Sequence, residues 1–305
     1  MTSSIAGRGQ VREQVQRTGD GGLASLAGFR EGVYRCFWRC PDVLFELGDA
    51  VLTAEAARPL PYLSLEPGFR RGYGMVYQGL AEGRISEDAL RDVLVAARPA
   101  DWPLAFAVDG STWARPEAVT SPGRAFHHHA GPHGRDGAVA GWSFQWLAQL
   151  SFTADSWTAP QDAVRVETGH GTREAAAQIR AHAARLRADG ESRVPVYALD
   201  AGYGEAELSW DLRAELAAGL AQVLVRVRND RVLFRDPLPR PAGQRGRPAR
   251  HGAPFACRNP ATWGPRTRNW RSATAGTGRC RPLRGAGCTR SWNGRARSPE
   301  LTSCR

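Results

Sequence analysis

Lysine is absent from this chain of 305 residues, so all 41 of its basic residues are arginines. We interpret the absence as a mark of GC-rich coding DNA rather than of selection for phosphate contacts. The net charge of +11 is a reason to expect a nucleic-acid partner. However, ten of the arginines and a single acid, Glu300, lie in residues 265–305, which leaves residues 1–264 with a net charge of only +2. The charge alone therefore assigns no nucleic-acid surface to the body of the protein.

The chain also lacks an apolar run of 18 or more residues and a CxxC pair. Without such a run the sequence offers no transmembrane helix, and its polar start, MTSSIAGRGQVREQVQR, has no apolar core of a signal peptide. We therefore expect a cytoplasmic protein without a membrane partner. Cys36 and Cys40 are spaced as two small apolar residues on one face of a helix. A metal or disulfide role for this pair is the alternative.

The composition changes abruptly at Pro265. Residues 265–305 contain no Val, Ile, Phe, Tyr or Asp and show neither a helical nor a strand period. Such a segment cannot bury enough apolar surface to offset its ordering entropy, so we expect it to be disordered. Two origins stay open: a natural basic tail that contacts nucleic acid, or translation in a shifted frame. We favour the second, because codons chosen for residues 265–272, read two bases out of step, encode ordinary amphipathic protein.

The N-terminal part of the chain shows two kinds of patterning. Residues 1–22 are polar and rich in glycine, and we expect them to be disordered. From Leu26 through Phe37, apolar residues recur at spacings of three and four, and Ser86 before ALRDVLVAA is typical of a helix N-cap. These patterns predict a small helical N-terminal domain over residues 23–100.

Residues 101–235 mix strand and helix patterns. The first strand, in WPLAFAVDGS, is predicted to end at Asp109, and the element order is strand, strand, strand, helix, strand, helix, strand. Three strands before the first helix exclude a plain doubly wound sheet, which alternates from the start. The order indicates an α/β, ribonuclease-H-like mixed sheet flanked by helices. Residues 236–254, the first part of a Pro/Arg-rich segment that we place at 236–264, form either a linker or an exposed DNA-contacting loop.

Two of the apolar strands end in aspartate, at Asp109 in AFAVDGS and at Asp200 in VYALDAGYG. In this fold order the two strands lie side by side, so the two carboxylates would share one site. Carboxylate is the hard oxygen ligand that Mg²⁺ prefers, and two such ions can stabilise the attacking and leaving oxygens of a phosphoryl displacement. An aspartate at the end of a single strand is more often a turn or cap residue. The prediction of a two-ion magnesium site therefore depends on the pair.

Five separated stretches, in order along the chain, carry a family resemblance. They are AVDGSTWARPEA (107–118), AGWSFQWLAQLSFTADSWTAPQDAVR (140–165), ALDAGYG (198–204), VLVRVRNDRVLF (223–234) and GRPARHGAPFACRNPATWG (246–264). Over roughly residues 25–264 the chain resembles an insertion-sequence transposase family of actinobacteria with a DDE endonuclease domain. The resemblance implies that Asp109 and Asp200 are the first and second catalytic carboxylates. It also implies two Mg²⁺ ions and cut-and-paste chemistry at the DNA ends of an insertion sequence.

The chain departs from this family where the third carboxylate belongs. Family members continue past position 264, through a β-rich insertion, to a helix that carries a Glu, so the catalytic core over residues 101–235 is incomplete here. Here the basic tail begins first. Of the candidates, Glu205, Glu207 and Glu215 follow Asp200 too soon, and Glu300 has no helical context. No residue is assigned to the third role, so the resemblance implies a truncated or frameshifted chain that is inactive in strand transfer.

Further DNA contacts and other functions stay open. Trp113 and Arg115, just after Asp109, are candidate contacts to DNA ends. The histidines at 127–129 and His133, flanked by Gly and Pro, are interpreted as a solvated loop, with phosphate contact or a metal site as alternatives. The whole chain is alternatively a DNA-binding remnant or inhibitor, with self-association as a further interaction, or an unrelated Mg-dependent nuclease.

Overall fold

A computed structural model of the protein describes residues 22–56, 59–130, 136–154, 157–239, 243, 246–264 and 288–289. The segments that we expect to be disordered, 1–22 and 265–305, lie outside these ranges apart from residues 22, 288 and 289. The chain divides into two compact units, Met1–Pro99 and Ala100–Arg305.

Helices make up most of the N-terminal unit. Pro41 opens the second helix at a position that suits its fixed φ. At the start of the last helix, the Ser86 hydroxyl accepts a hydrogen bond from the Ala89 N–H at 3.4 Å. The elements are α1 (22–36), β1 (Phe37–Arg39), α2 (Pro41–Thr53), α3 (Leu60–Leu63), α4 (Gly74–Glu82), β2 (Arg84–Ile85) and α5 (Glu87–Ala96). The two short strands pair antiparallel.

The core of this unit lies between α2, α3 and α4. Glu46 on α2 is buried beside that core, and its carboxylate accepts hydrogen bonds from the backbone N–H of Arg70 at 3.2 Å and from the Arg70 guanidinium at 2.9 Å. A buried carboxylate requires such partners, so this contact fixes the segment before α4 against α2. The core residues are Val43, Leu47, Ala50, Leu63, Phe69 and Val76.

Two details of the predicted N-terminal helices are wrong. Phe37, which ends the predicted apolar stripe, lies in β1 because it pairs with Ile85. Cys40 has a positive φ of 53° and precedes α2, so Cys36 and Cys40 do not share a helix face. Both thiols are free.

The larger unit is built on a six-stranded mixed sheet. The strand order is β4–β5–β3–β7–β8, and β6 also pairs with β5. Strand β3 runs antiparallel to β5 and parallel to β7. The elements are β3 (Ala105–Ala114), β4 (Ala125–Ala130), β5 (Asp136–Leu150), β6 (Thr158–Val166), α6 (Gly171–Ala188), β7 (Val196–Leu199), α7 (Glu205–Asp211), α8 (Arg213–Ala217) and β8 (Gln222–Val225). The predicted fold class, a ribonuclease-H-like mixed sheet flanked by helices, is confirmed.

The strands are longer than their apolar runs. Strand β3 does not end at Asp109 but continues to Ala114, because residues 109–114 pair with residues 141–146 of β5. The predicted loop at 127–129 is also wrong for the backbone, since residues 125–130 form β4 against residues 136–141. His133 lies outside the described residues.

The two faces of this sheet have opposite surroundings. Side chains alternate along a strand, so neighbours in sequence point to opposite faces. On one face Phe106 and Leu147 are fully buried, and the Phe106 ring lies 4.5 Å from the ring of His182 on α6. We call this the covered face. On the other, Trp146 and Leu224 are 46% and 65% exposed, and we call it the open face.

A second, smaller sheet follows in the same unit. Strand β9 (Val232–Arg235) pairs antiparallel with β10 (Pro254–Ala256) and with β11 (Cys288–Thr289). Within the Pro/Arg-rich segment 236–264, the Trp263 indole donates to the Ala256 carbonyl at 2.9 Å. Among the described residues, no helix combines the length and the apolar character that a membrane crossing requires.

Candidate functional site

The sheet brings Asp109 and Asp200 to neighbouring positions. Strands β3 and β7 are parallel, and their last paired residues are Val108 and Leu199. The next residue on each strand is an aspartate, and both aspartates are exposed. Because Val108 is buried on the covered face, the alternation of side chains directs Asp109, within β3, to the open face. Asp200 comes directly after β7, and continuing the same alternation by one residue from the buried Leu199 gives it the same direction. The two predicted site residues therefore lie side by side.

Each carboxylate is held by a backbone N–H close to it in the chain. The Gly110 N–H donates to Asp109 Oδ1 at 2.8 Å, and the Gly202 N–H donates to Asp200 Oδ1 at 2.7 Å. A Cβ atom at position 202 would lie 3.0 Å from Asp200 Oδ1, so the turn favours glycine there. Among the described residues, these hydrogen bonds reach Oδ1 of both aspartates, which leaves the second oxygen of each for another ligand.

Tyr203 is a site residue that the sequence reasoning missed. It is buried, and its hydroxyl lies 3.2 Å from the side-chain amide of Gln145. Burial raises the pKa of Tyr203, and the negative charges of Asp109 and Asp200 raise it further. The charges of both carboxylates therefore act on the same phenol, as expected for two aspartates that lie side by side. Its proximity to Asp200 in DAGYG was the available signal, but this does not distinguish a buried tyrosine from a surface one.

Buried amides connect this tyrosine to helix α6. The side-chain amides of Gln145 on β5 and Gln178 on α6 meet at 2.6 Å, and both residues are buried. With its nitrogen turned toward the start of α6, Gln145 donates to the Gly171 carbonyl at 3.0 Å, while its oxygen accepts from the Ala175 N–H at 2.9 Å. Buried polar groups require partners of this kind. The network fixes the sheet end beneath the carboxylates.

The loop after Asp200 is also tied to α6. The Gly204 N–H donates to the Thr172 hydroxyl at 3.1 Å. The side-chain amide of Gln178 in turn lies 3.0 Å from Asp162 Oδ2 on β6. These contacts limit how far the Asp200 turn can move from β3.

Trp113 and Arg115 lie further along β3 and just past its end. Trp113 is 52% exposed and pairs directly across the ladder with Trp142 of β5, with ring centroids 5.7 Å apart. The Arg115 guanidinium carbon lies 4.8 Å from the centroid of the Trp113 ring. Its Nη1 also pairs with Glu117 at 3.0 Å. The two candidate DNA contacts therefore lie together, on an extension of the strand that carries Asp109.

Two of the four glutamates considered for a third ligand lie beside arginines. Glu205 lies 3.7 Å from the Arg231 guanidinium, and Glu215 pairs with Arg180 at 2.6 Å. Glu207 lies beside Gly204, and Glu300 falls outside the described residues. In the part of the chain that the structure describes, no group of three or more His, Cys, Asp or Glu side chains is arranged to hold a metal ion.

Comparison with known proteins assigns the larger part of the chain to a family. A family model described as "DDE superfamily endonuclease" matches residues 33–281. A comparison with curated proteins finds no match. Among solved structures, a piggyBac transposase in a synaptic complex with hairpin DNA is similar over 63% of this chain, with 10% identity and a TM-score of 0.35. The chain spans 42% of the length of that structure's chain.

Proposed function

Because the chain belongs to the DDE superfamily endonuclease family, we propose that it is a DDE-type DNA transposase in which Asp109 and Asp200 hold divalent metal at the phosphodiester to be cut. The observation that carries the proposal is the parallel register of β3 and β7, in which Val108 opposite Leu199 is followed by an aspartate on each strand. Two adjacent carboxylates on an exposed face repel each other. A cation bound between them would neutralise that repulsion, which gives a reason for the pair.

The donor chemistry fits magnesium. Carboxylate oxygens are the ligands that Mg²⁺ prefers, and this ion keeps several water ligands, so one oxygen from each of Asp109 and Asp200 is compatible with it. When bound, two such ions would stabilise the attacking and leaving oxygens of an in-line displacement. The N–H groups of Gly110 and Gly202 orient the carboxylates by holding one oxygen of each. Tyr203 and the amides beneath it keep the Asp200 turn beside β3.

The proposed substrate is the DNA end of an insertion sequence of the actinobacterial kind, in the cytoplasm. Trp113 and Arg115 support a DNA substrate, because an aromatic ring and a guanidinium follow Asp109 on the same strand. Self-association of the chain on paired ends belongs to this proposal. We propose five segments along the chain: a disordered N-terminus (1–22), a helical domain (23–100), an incomplete ribonuclease-H-like catalytic core (101–235), a Pro/Arg-rich segment (236–264) and a basic tail (265–305).

We also propose that this chain is a truncated or frameshifted fragment that no longer carries out strand transfer. The proposal is supported by the change in composition at Pro265, where ten arginines and a single acid follow in 41 residues. With two carboxylates in place of three, the chain would hold metal weakly and position it poorly. It would then bind DNA ends without cutting them.

Manganese binding to the full chain tests the metal site. Mn²⁺ titrations followed by electron paramagnetic resonance should show binding that Asp109→Asn and Asp200→Asn each weaken by at least about tenfold, which is about 1.4 kcal/mol. Asp101→Asn is the matched control, because Asp101 is an exposed aspartate before the opposite end of β3. Equal Mn²⁺ affinity in all four proteins would contradict a shared site.

Two further measurements test the fragment. The nucleotide sequence across codons 255–305 and downstream should continue, in a shifted frame, into ordinary protein with an acidic residue on an amphipathic helix. In the absence of such a frame, the tail is genuine and the truncation proposal fails. Nicking of supercoiled plasmid with Mn²⁺, abolished by Asp109→Asn, would instead favour a working nuclease.

A further inference from the structure

Three tryptophans line the open face beside the proposed catalytic carboxylates. Trp146 lies directly opposite Asp109 in the β3–β5 ladder, and Trp113 lies directly opposite Trp142. Directly opposed residues share a face, so Asp109 and all three indoles are on the same side of the sheet. We call Trp113, Trp142 and Trp146 the aromatic strip. It begins at the carboxylates and follows β3 and β5 away from them.

Two rings of the strip are exposed, and two are held in place by hydrogen bonds. Trp113 is 52% and Trp146 46% exposed. The Trp146 Nε1–H donates to the Ser111 hydroxyl at 3.0 Å, and the Trp142 Nε1–H donates to the Pro122 carbonyl at 3.2 Å. With their polar atoms bonded to the protein, these two indoles present mainly carbon surface to solvent. An exposed aromatic surface of this kind marks an interaction site more often than it marks an idle surface.

Guanidinium groups border the strip. Arg115 lies over the Trp113 ring at 4.8 Å and Arg165 over the Trp142 ring at 5.6 Å. Arg165 is fixed by a hydrogen bond to the Pro122 carbonyl at 3.0 Å. Arg124 donates to the Arg115 carbonyl at 2.8 Å, which closes the loop after β3 against the strip. Aromatic faces interleaved with cations suit a ligand that has both π-faces and negative charge, which is the chemistry of a nucleic-acid strand.

The form of DNA follows from what a flat aromatic surface can reach. Trp113 is four residues from Asp109 on one strand, a distance of about 13 Å at about 3.3 Å per residue. That is about four base steps of a duplex at about 3.4 Å per step. Bases in an intact duplex present only their edges to a protein, whereas an unpaired or extruded base offers its face for stacking. The strip therefore fits unpaired bases near the phosphodiester and not an uninterrupted duplex.

We propose that the aromatic strip stacks unpaired bases of the DNA strand that flanks the phosphodiester at Asp109 and Asp200. This inference rests on the proposed function, because it takes that site as the place where DNA is held. The chain should then prefer single-stranded or frayed DNA ends to blunt duplex. Trp113, the most exposed ring of the three, should make the main stack, with Arg115 behind it.

The test is DNA binding by the full chain in EDTA, measured by fluorescence anisotropy. Three labelled DNAs of equal length are compared: a single strand, a duplex with a five-base overhang and a blunt duplex. Trp113→Ala should weaken binding of the first two by about tenfold, as expected for the loss of one base–aromatic stack, and change the blunt duplex less than about twofold. Trp157→Ala is the matched control, since Trp157 is 72% exposed and lies outside the strip.

A change in the DNA tests the same contact without altering the protein. Replacing the overhang bases with abasic sites keeps the phosphate charge, so the wild-type chain should lose about tenfold in affinity through the missing stacks. Equal affinity for abasic and normal overhangs, or an equal loss on all three DNAs with Trp113→Ala, would overturn the proposal. A chain that binds no DNA would overturn it too.

The metal and stacking measurements can fail separately. Because EDTA removes divalent ions, a preference for unpaired ends in EDTA does not depend on the carboxylates. Loss of that preference with intact Mn²⁺ binding would overturn the stacking proposal and leave the proposed metal site standing. Absent Mn²⁺ binding with an intact preference would do the reverse.

Discussion

The covered and open faces of the six-stranded sheet are built by the same strands and have opposite chemistry. Leu147 is fully buried on the covered face, while its neighbour Trp146 is 46% exposed on the open face. Stability is concentrated on the first face, where α6 packs, and the candidate chemistry on the second, where Asp109 and Asp200 lie. One strand thus separates two tasks by alternation alone, because consecutive side chains point in opposite directions.

The largest expected difference between the faces is in packing. Leu147→Ala should reduce the free energy of unfolding by about 2–5 kcal/mol, because it leaves a cavity in a well-packed core. Trp146→Ala should reduce it by about 1 kcal/mol or less, since its ring is half exposed. Urea denaturation followed by circular dichroism measures both. Equal losses in the two variants would show that the open face is also part of the packed core.

Hydrogen bonds should differ between the faces in the same direction. Gln178→Met keeps the side-chain volume but leaves the buried Gln145 amide without its partner at 2.6 Å, and should cost about 1–3 kcal/mol. Ser111→Ala on the open face removes the acceptor of the Trp146 indole, which water can replace, and should cost about 0.5 kcal/mol or less. A larger loss for Ser111→Ala than for Gln178→Met in the same urea titrations would contradict the comparison.

Alkaline pH should destabilise the protein through a buried tyrosine on the covered face. Burial raises the pKa of Tyr197, so the folded protein keeps a proton that the unfolded chain releases above about pH 10. The contribution of the protonated Tyr197 to the free energy of unfolding is fully present below about pH 10. It is lost as the pH rises above about 10, by at most about 1.4 kcal/mol per pH unit. Tyr197→Phe should make stability less steep with pH in this range.

Measurement at pH 8 provides the control for the tyrosine variant. At that pH the hydroxyl is protonated in both states, so any difference reports only the lost hydrogen bond to His182 Nδ1 at 2.9 Å. Stability curves of wild type and variant that stay parallel from pH 8 to pH 11.5 would remove Tyr197 as the alkaline group.

The smallest effect is expected from charge on the open face. Without divalent ions, Asp200→Asn relieves the repulsion between two adjacent carboxylates and should raise Tm by about 1–2 °C. With excess Mn²⁺, wild type should gain stability by binding while the variant does not, so the order reverses. Differential scanning fluorimetry with and without Mn²⁺ measures this. The same order of Tm under both conditions would argue against a cation between the carboxylates.

Sequence patterning predicted which apolar segments form strands better than it predicted how far those strands extend. The apolar half of β3 was evident from LAFAV, but the polar half after Asp109 becomes strand only because β5 is long enough to pair with it. Strand β4 was missed for the same reason, since its histidines have no strand pattern of their own. Pairing between distant segments stabilises such stretches, and local composition does not report it.

The candidate site shows the same division. Asp109 and Asp200 could be selected because each follows an apolar strand, and their adjacency could be inferred from the element order. The contribution of Tyr203, Gln145 and Gln178 could not be inferred, because it depends on how α6 lies against the sheet. The pairing of Trp113 with Trp142 was equally hidden, because a shift of one residue in register would place Trp142 on the other face.

By itself, the sequence determined that strands precede the first long helix of the larger unit and which two strands carry an aspartate at the end of their apolar run, although it predicted three strands before that helix where the structure has four. It did so because periodicity and residue type act locally. Only the tertiary structure decided which face of the sheet α6 covers, and therefore that the carboxylates and the aromatic strip share the other. Strand register and helix packing determine this arrangement, because both depend on contacts between residues far apart in the chain.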